Sequence, residues 1–120
     1  MLPHYALADH RVVKVYEVID IANCTRIESE LFPLIRGCPS PGIVIDLRAP
    51  LLTSTGIDLL MTGRDLAVER ELSWSVAAHH PATRRVARLT GTTTELSLSA
   101  DLAGALRAAP WPGAPGERGA

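Results

Sequence analysis

Apolar positions along the chain follow two rhythms, one of period two and one of three to four, and the switches between them mark out the elements. Tyr5-Ala6-Leu7 is a short apolar piece that predicts an edge strand ending at a polar Asp9-His10 turn. Residues 11–19 carry Val12, Val13, Val15, Val18 and Ile19 around Lys14 and Glu17, a β-branched density that predicts a strand covered on at least one face. Asp20-Ile21-Ala22-Asn23 breaks that pattern. Cys24, Ile27, Leu31, Leu34 and Ile35 then recur at spacings that line one side of a helix. Asn23 or Thr25 offers its cap, Thr25 with Glu28 has the capping-box spacing, and Gly37 suits a left-handed residue after the last turn. Pro33 removes an amide from the helix interior, which predicts a kink or an early end near Phe32.

After the Pro39-Ser40-Pro41-Gly42 turn, Ile43-Val44-Ile45-Asp46-Leu47 reads as a short strand buried on both faces. Two strands joined through a helix imply a right-handed parallel crossover. Ile57, Leu60, Met61, Ala67 and Val68 predict a second helix, with Arg64, Asp65 and Glu69 towards water. Leu72, Trp74 and Val76 alternate with period two on a third core strand. Pro81 suits the first turn of another helix, with Ala82, Val86 and Leu89 inward and Gly91 at its end. Residues 92–98 predict a last strand. Ser99 or Asp101 caps a final helix with Leu102, Ala105 and Leu106 inward, which Pro110 terminates. The expected fold is α/β: a mostly parallel sheet of four to five strands, its N-terminal edge strand antiparallel, with about four helices in one domain over residues 1–109. Residues 110–120, rich in Pro and Gly, predict a flexible tail.

Composition sharpens this picture by exclusion. The 120 residues carry a formal net charge of −1, which argues against nucleic acid as a partner. Apolar residues make up 47% and aromatics only 4%, so the core must be built from aliphatic side chains, as suits an α/β layer. No apolar run approaches the length of a membrane span and no signal segment opens the chain, so a cytoplasmic setting is expected. Cys24 and Cys38 fit neither a zinc spacing nor a redox pair and predict buried thiols. No metal or cofactor is expected.

Candidate chemistry concentrates at Leu51-Leu52-Thr53-Ser54-Thr55-Gly56-Ile57-Asp58, between a central strand and a helix. Ser or Thr at that junction caps the helix, because its hydroxyl accepts from an otherwise unpaired amide. Such a hydroxyl is also exposed, and a phosphate on it would sit beside the positive end of the helix dipole. Contacts in open α/β sheets gather at the carboxyl ends of the strands, where this stretch lies. Asp58, in the first turn, complements the dipole.

The order of elements and several landmarks resemble the STAS domain, the module of anti-sigma factor antagonists, from about residue 10 to residue 107. The landmarks are Asp20 with Ile21-Ala22, the strand Ile43 to Leu47, Ser54-Thr55-Gly56, and the run from Pro81 to Gly91. The resemblance implies a bacterial regulator of transcription that is not an enzyme. It would bind an anti-sigma factor that is a serine kinase, free a sigma factor, and be switched off when that kinase phosphorylates the matching serine, Ser54. The partner-binding residues implied are Asp20, Asn23, Thr53, Ser54, Thr55, Gly56 and Asp58, in a monomer or weak dimer. Three features depart from the family pattern: Thr53 stands where Asp usually precedes the serine, Glu17-Val18-Ile19 replaces the usual Gly-Glu approach to Asp20, and the stretch from Asp46 to Ser54 is one residue short.

The alternative in the binding class is a STAS scaffold, or a small-ligand or nucleotide sensor, whose Ser54 is not phosphorylated. A hydrolase with Ser54 as nucleophile and His79 or His80 as base would need an oxyanion site and a cleft that no spacing here supplies. His79-His80 reads as surface, since no carboxylate is near in sequence. Arg84, Arg85 and Arg88 read as a solvated helix face, with phosphate or an acidic partner as the functional alternative.

Overall fold

The computed structural model describes residues 1–108. The expected tail over 110–120 lies outside the described residues. Among the described residues five strands and four helices follow in the order β1 (His4–Leu7), β2 (His10–Val15), α1 (Cys24–Arg36), β3 (Gly42–Leu47), α2 (Ser54–Glu69), β4 (Ser73–Ala78), α3 (Pro81–Thr90), β5 (Leu98–Ser99) and α4 (Leu102–Ala108). The sheet runs in sequence order, with β1 antiparallel to β2 and every other pair parallel, as the residue pattern predicts.

Ala8 and Asp9 both take positive φ, 51° and 64°, so the β1–β2 turn sits one residue earlier than expected and His10 opens β2. β2 is shorter than its apolar run. Its ladder with β3 closes when Arg48 N–H donates to the Val15 carbonyl at 2.8 Å, and Pro50 soon after has no amide to give. Tyr16 to Asp20 therefore leave the sheet as a loop, and Ile19 folds back into the core.

α1 runs through Pro33 to Arg36, without the expected end near Phe32. The Ser29 carbonyl loses its usual donor, but Leu34 and Ile35 lie beyond Pro33 and are buried, which holds the last turn on the sheet. Gly37 is not left-handed (φ −98°); its amide simply continues the helix by bonding the Pro33 carbonyl at 2.9 Å. Gly91 is left-handed (φ 74°) and closes α3 as expected.

Both faces of the sheet are covered, unequally. Val13, Val15, Ile43, Ile45, Leu47, Trp74 and Val76 meet Ile27, Leu31, Ile35, Leu60 and Ala67 of α1 and α2, with Ala87 of α3, in the main core. On the opposite face Val12, Val44 and Ala77 pack under Ala105, Leu102 and Leu106 of α4. Ser75 is buried there, and its hydroxyl donates to the Ala105 carbonyl at 2.8 Å, which satisfies it.

Three inward faces differ from expectation. Val68 is 56% exposed, because Leu59 and Gly63 take up the buried side of α2 with Ile57, Leu60 and Ala67. α3 buries Thr83 and Ala87 in place of Ala82 and Leu89, and Leu89 is exposed. Thr83 donates to the Ala49 carbonyl at 3.2 Å, and this bond to the loop after β3 sets the helix rotation. Most of the expected last strand is turn: fully buried Leu96 plugs the core, and only Leu98–Ser99 pair with β4. The two thiols are free and half-buried rather than buried.

Candidate functional site

Asp20, Asn23 and residues 53–58 come together at the carboxyl end of the parallel strands, where the loop after β2 lies against the start of α2. The helix cap belongs to Thr53 and not to Ser54. Thr53 is extended (φ −97°, ψ 167°), its Oγ1 accepts from Gly56 N–H at 3.0 Å, and its carbonyl accepts from Ile57 N–H at 2.9 Å. The same hydroxyl donates its proton to the Ile19 carbonyl, thirty-four residues away in sequence. One side chain thus caps α2 and ties it to the loop after β2. A carboxylate could accept from Gly56 but has no proton for Ile19, so threonine at this position makes a bond that aspartate does not.

Ser54 follows as the first residue of α2 and is exposed. Because Thr53 takes the capping duty, the Ser54 hydroxyl has no bonding partner among the described residues. Gly56 is buried at the closest approach of helix and loop. A Cβ there would lie 3.3 Å from Leu52 Cδ1 and 3.4 Å from Ile19 Cβ, so only glycine lets the two segments meet without displacement. Asp58 is exposed but lies in the second turn, since the helix begins at Ser54; its carboxylate faces the same side as Ser54, four residues on.

The loop after β2 is rigid by reciprocal bonding. Asp20 Oδ1 accepts from Asn23 N–H at 3.0 Å, Asn23 Oδ1 accepts from Asp20 N–H at 2.8 Å, and Asn23 Nδ2 donates to the Val18 carbonyl at 2.9 Å. This is a capping box placed at Asp20 and Asn23, not at Thr25 and Glu28. Cys24 N–H completes it by donating to the Asp20 carbonyl at 2.9 Å. Outside that frame Ile21 is 85% exposed and Leu51 55% exposed, so the Ser54 surface carries apolar contacts beside its polar ones. Sequence reading gave neither Leu51 nor Ile21 a contact role, although a large apolar residue in a loop that the core does not need is the available signal.

Of the other candidates, Arg84 is half-buried, and its Nη1 donates to the carbonyls of Ala78 and His79 at 2.8 and 3.1 Å. Arg85 and Arg88 are exposed. His80 precedes α3 at the surface, while His79 bonds fully buried Asp46, a carboxylate distant in sequence. Among the described residues no group of three or more His, Cys, Asp and Glu side chains could hold a metal ion, and no helix is long and apolar enough to cross a membrane.

An open sheet with one antiparallel edge strand, carrying a serine-led helix after its central strand, defines an α/β domain of a particular kind. No protein-family model matches the sequence, and no curated protein matches it significantly. Solved structures do. An anti-sigma factor antagonist from Mycobacterium paratuberculosis is 27% identical, with a TM-score of 0.75 over 91% of this chain and 92% of its own. A putative anti-sigma factor antagonist from Thermotoga maritima shares the fold at 11% identity, with a TM-score of 0.77 over 90% and 93%. A variant of RsbS from Moorella thermoacetica shares it at 21% identity, with a TM-score of 0.71 over 88% and 92%. The chain is a STAS-fold protein of the kind found among anti-sigma factor antagonists.

Proposed function

We propose that this protein is an anti-sigma factor antagonist: through the surface around Ser54 it binds an anti-sigma factor serine kinase and so frees a sigma factor. The observation that carries this reading is an exposed Ser54 with an uncommitted hydroxyl at the start of α2, in a chain 27% identical to a solved antagonist. The chain supplies a binding surface, and the chemistry belongs to the kinase. Asp20 and Asn23 hold the loop that presents Ile21, Thr53 and Gly56 dock that loop on α2, and Thr55 and Asp58 flank the serine. Ser54 is the phosphoacceptor. A phosphate on it adds about two negative charges at the centre of the interface and must be desolvated against the partner, four residues from the like charge of Asp58. A few kcal/mol of such penalty is enough to abolish micromolar binding.

The test is incubation with candidate anti-sigma kinases and ATP, with intact mass, site mapping and binding measured together. One phosphate on Ser54 and loss of the complex afterwards is the expected result. Absence of both phosphate and binding with every kinase would turn the reading towards a scaffold or ligand-sensing STAS domain. Ser54→Asp separates the two as well, since it breaks an antagonist complex and leaves a scaffold intact.

A further inference from the structure

On the sheet face opposite α1 and α2, side chains that the Ser54 surface does not use form a second cluster. Register places Tyr5 beside Val12 on β1 and β2, and Lys14 beside Asp46 and Ala77, all on the α4 side of the sheet. Just past the strand ends, Arg48 N–H bonds the Val15 carbonyl at 2.8 Å and His79 N–H the Leu47 carbonyl at 3.3 Å, which sets Arg48 and His79 next to the Val15–Tyr16 peptide. Asp46, with no exposure at all, anchors both: Oδ2 accepts from Arg48 Nε at 3.1 Å and Oδ1 bonds His79 Nε2 at 2.5 Å.

This carboxylate orients more than it neutralises. Arg48 commits only Nε, so its two Nη groups have no partner among the described residues, and the side chain is 42% exposed. Lys14 Nζ has no carboxylate partner among the described residues and lies 5.4 Å from the centre of the Tyr5 ring. Tyr16 is 55% exposed and directly follows Val15, whose carbonyl accepts from Arg48 N–H. Two cations with donors uncommitted among the described residues and two exposed phenols thus share this side of the sheet with a single buried carboxylate. Tyr and Arg are among the residues enriched at protein interfaces and their hot spots, which favours a protein segment over a small ion as the occupant.

We infer that Tyr5, Lys14, Tyr16 and Arg48 form a second docking surface, on the sheet face opposite Ser54, for a carboxylate-rich segment of a protein partner, with Asp46 as the positioning residue for Arg48. The phenols pack against the segment's backbone and side-chain stems, and the Arg48 fork and Lys14 ammonium take its carboxylates. The site is independent of the antagonist reading, because it shares no residue with the Ser54 surface.

The test uses the full chain, labelled with ¹⁵N and titrated with hexaglutamate, with hexaglutamine and inorganic phosphate as parallel arms at matched ionic strength. Hexaglutamate is expected to shift the amides of Tyr5, Lys14, Tyr16 and Arg48, to do so equally in Ser54→Asp, and to bind about tenfold more weakly to Lys14→Glu/Tyr16→Ala, whose two positions are outside the core. Unchanged binding by that variant, or no shifts in this cluster, overturns the inference. Shifts of the same size with phosphate overturn it in favour of a small-anion site, and shifts confined to residues 20–23 and 53–58 overturn it in favour of the Ser54 surface.

Discussion

Two corners of the molecule flank the carboxyl end of β3, one on each face of the sheet, and they are held by different forces. At the Ser54 corner a single neutral hydroxyl, Thr53 Oγ1, joins the Ile19 carbonyl to the Gly56 amide. At the other corner a fully buried carboxylate, Asp46, holds His79 and Arg48. Neutral bonds cost little to bury when both ends are satisfied, so the first corner joins helix and loop without burying a charge. A buried carboxylate is expensive unless both its oxygens are engaged, so the second corner is tight but depends on every partner. Removal of a partner should therefore hurt the charged corner more than the neutral one.

His79→Ala should show the largest effect, a loss of about 2–3 kcal/mol in urea unfolding, because fully buried Asp46 then loses one of its two side-chain partners. A smaller loss than for Thr53→Val would remove the contrast between the corners. Thr53→Val should cost about 1–2 kcal/mol, the sum of a lost cap and an orphaned Ile19 carbonyl. Thr53→Ser should stay within about 0.5 kcal/mol, since it keeps both bonds. Thr53→Asp keeps the cap and loses the tie to Ile19, so amide exchange over residues 18–23 should quicken while α2 stays protected. If exchange there matched the parent, the hydroxyl would not be what docks the loop.

Gly56→Ala sets a gain in helix propensity of about 1 kcal/mol against contacts of 3.3 Å to Leu52 and 3.4 Å to Ile19. Net stability should change by less than about 1 kcal/mol, yet binding at the Ser54 surface should fall as the loop moves outward. A calorimetric titration with the proposed anti-sigma kinase checks this, and undiminished affinity would mean that the exact approach of loop and helix does not matter.

The smallest effect belongs to the surface network in which Arg26 meets Glu17 at 2.5 Å and Glu30 at 3.0 Å. Hydrogen bonds from Arg26, then from the N-terminal ammonium, hold the Glu30 carboxyl below its ordinary range. A lowered folded value means stability that is present above the ordinary glutamate range and is lost as pH falls through the folded one. The urea midpoint of Glu30→Gln should thus differ slightly from the parent at neutral pH and coincide with it at strongly acidic pH. A difference that grew on acidification would contradict the assigned cause.

The fold was largely legible because period and punctuation are local. Five strands, four helices, the parallel crossovers and the αL close at Gly91 follow from residues near one another in sequence. The misses share a cause, which is tertiary contact overriding local preference. Leu34 and Ile35 carry α1 past Pro33, Leu96 folds most of the last strand into a turn, and the Thr83 bond to Ala49 rotates α3 away from Leu89. At the Ser54 corner the stretch singled out from sequence does lie against the loop after β2, but the capping residue could not be read, because serine and threonine are equivalent cap formers until the Ile19 carbonyl arrives beside one of them.

The charged corner left one clue in the sequence. Asp46 is the sole charged residue in an otherwise apolar strand, and a carboxylate there requires partners. Which partners could not be read, since His79 is thirty-three residues away and only the parallel register of β3 with β4 sets it beside Asp46. Sequence alone determined the elements, their order and the stretch that presents a serine, because hydrophobic periodicity and capping chemistry act over a few residues. The tertiary structure decided which hydroxyl caps and which is left free, and it brought Arg48, His79 and Asp46 into one cluster, because those relations exist only once distant strands and loops are packed together.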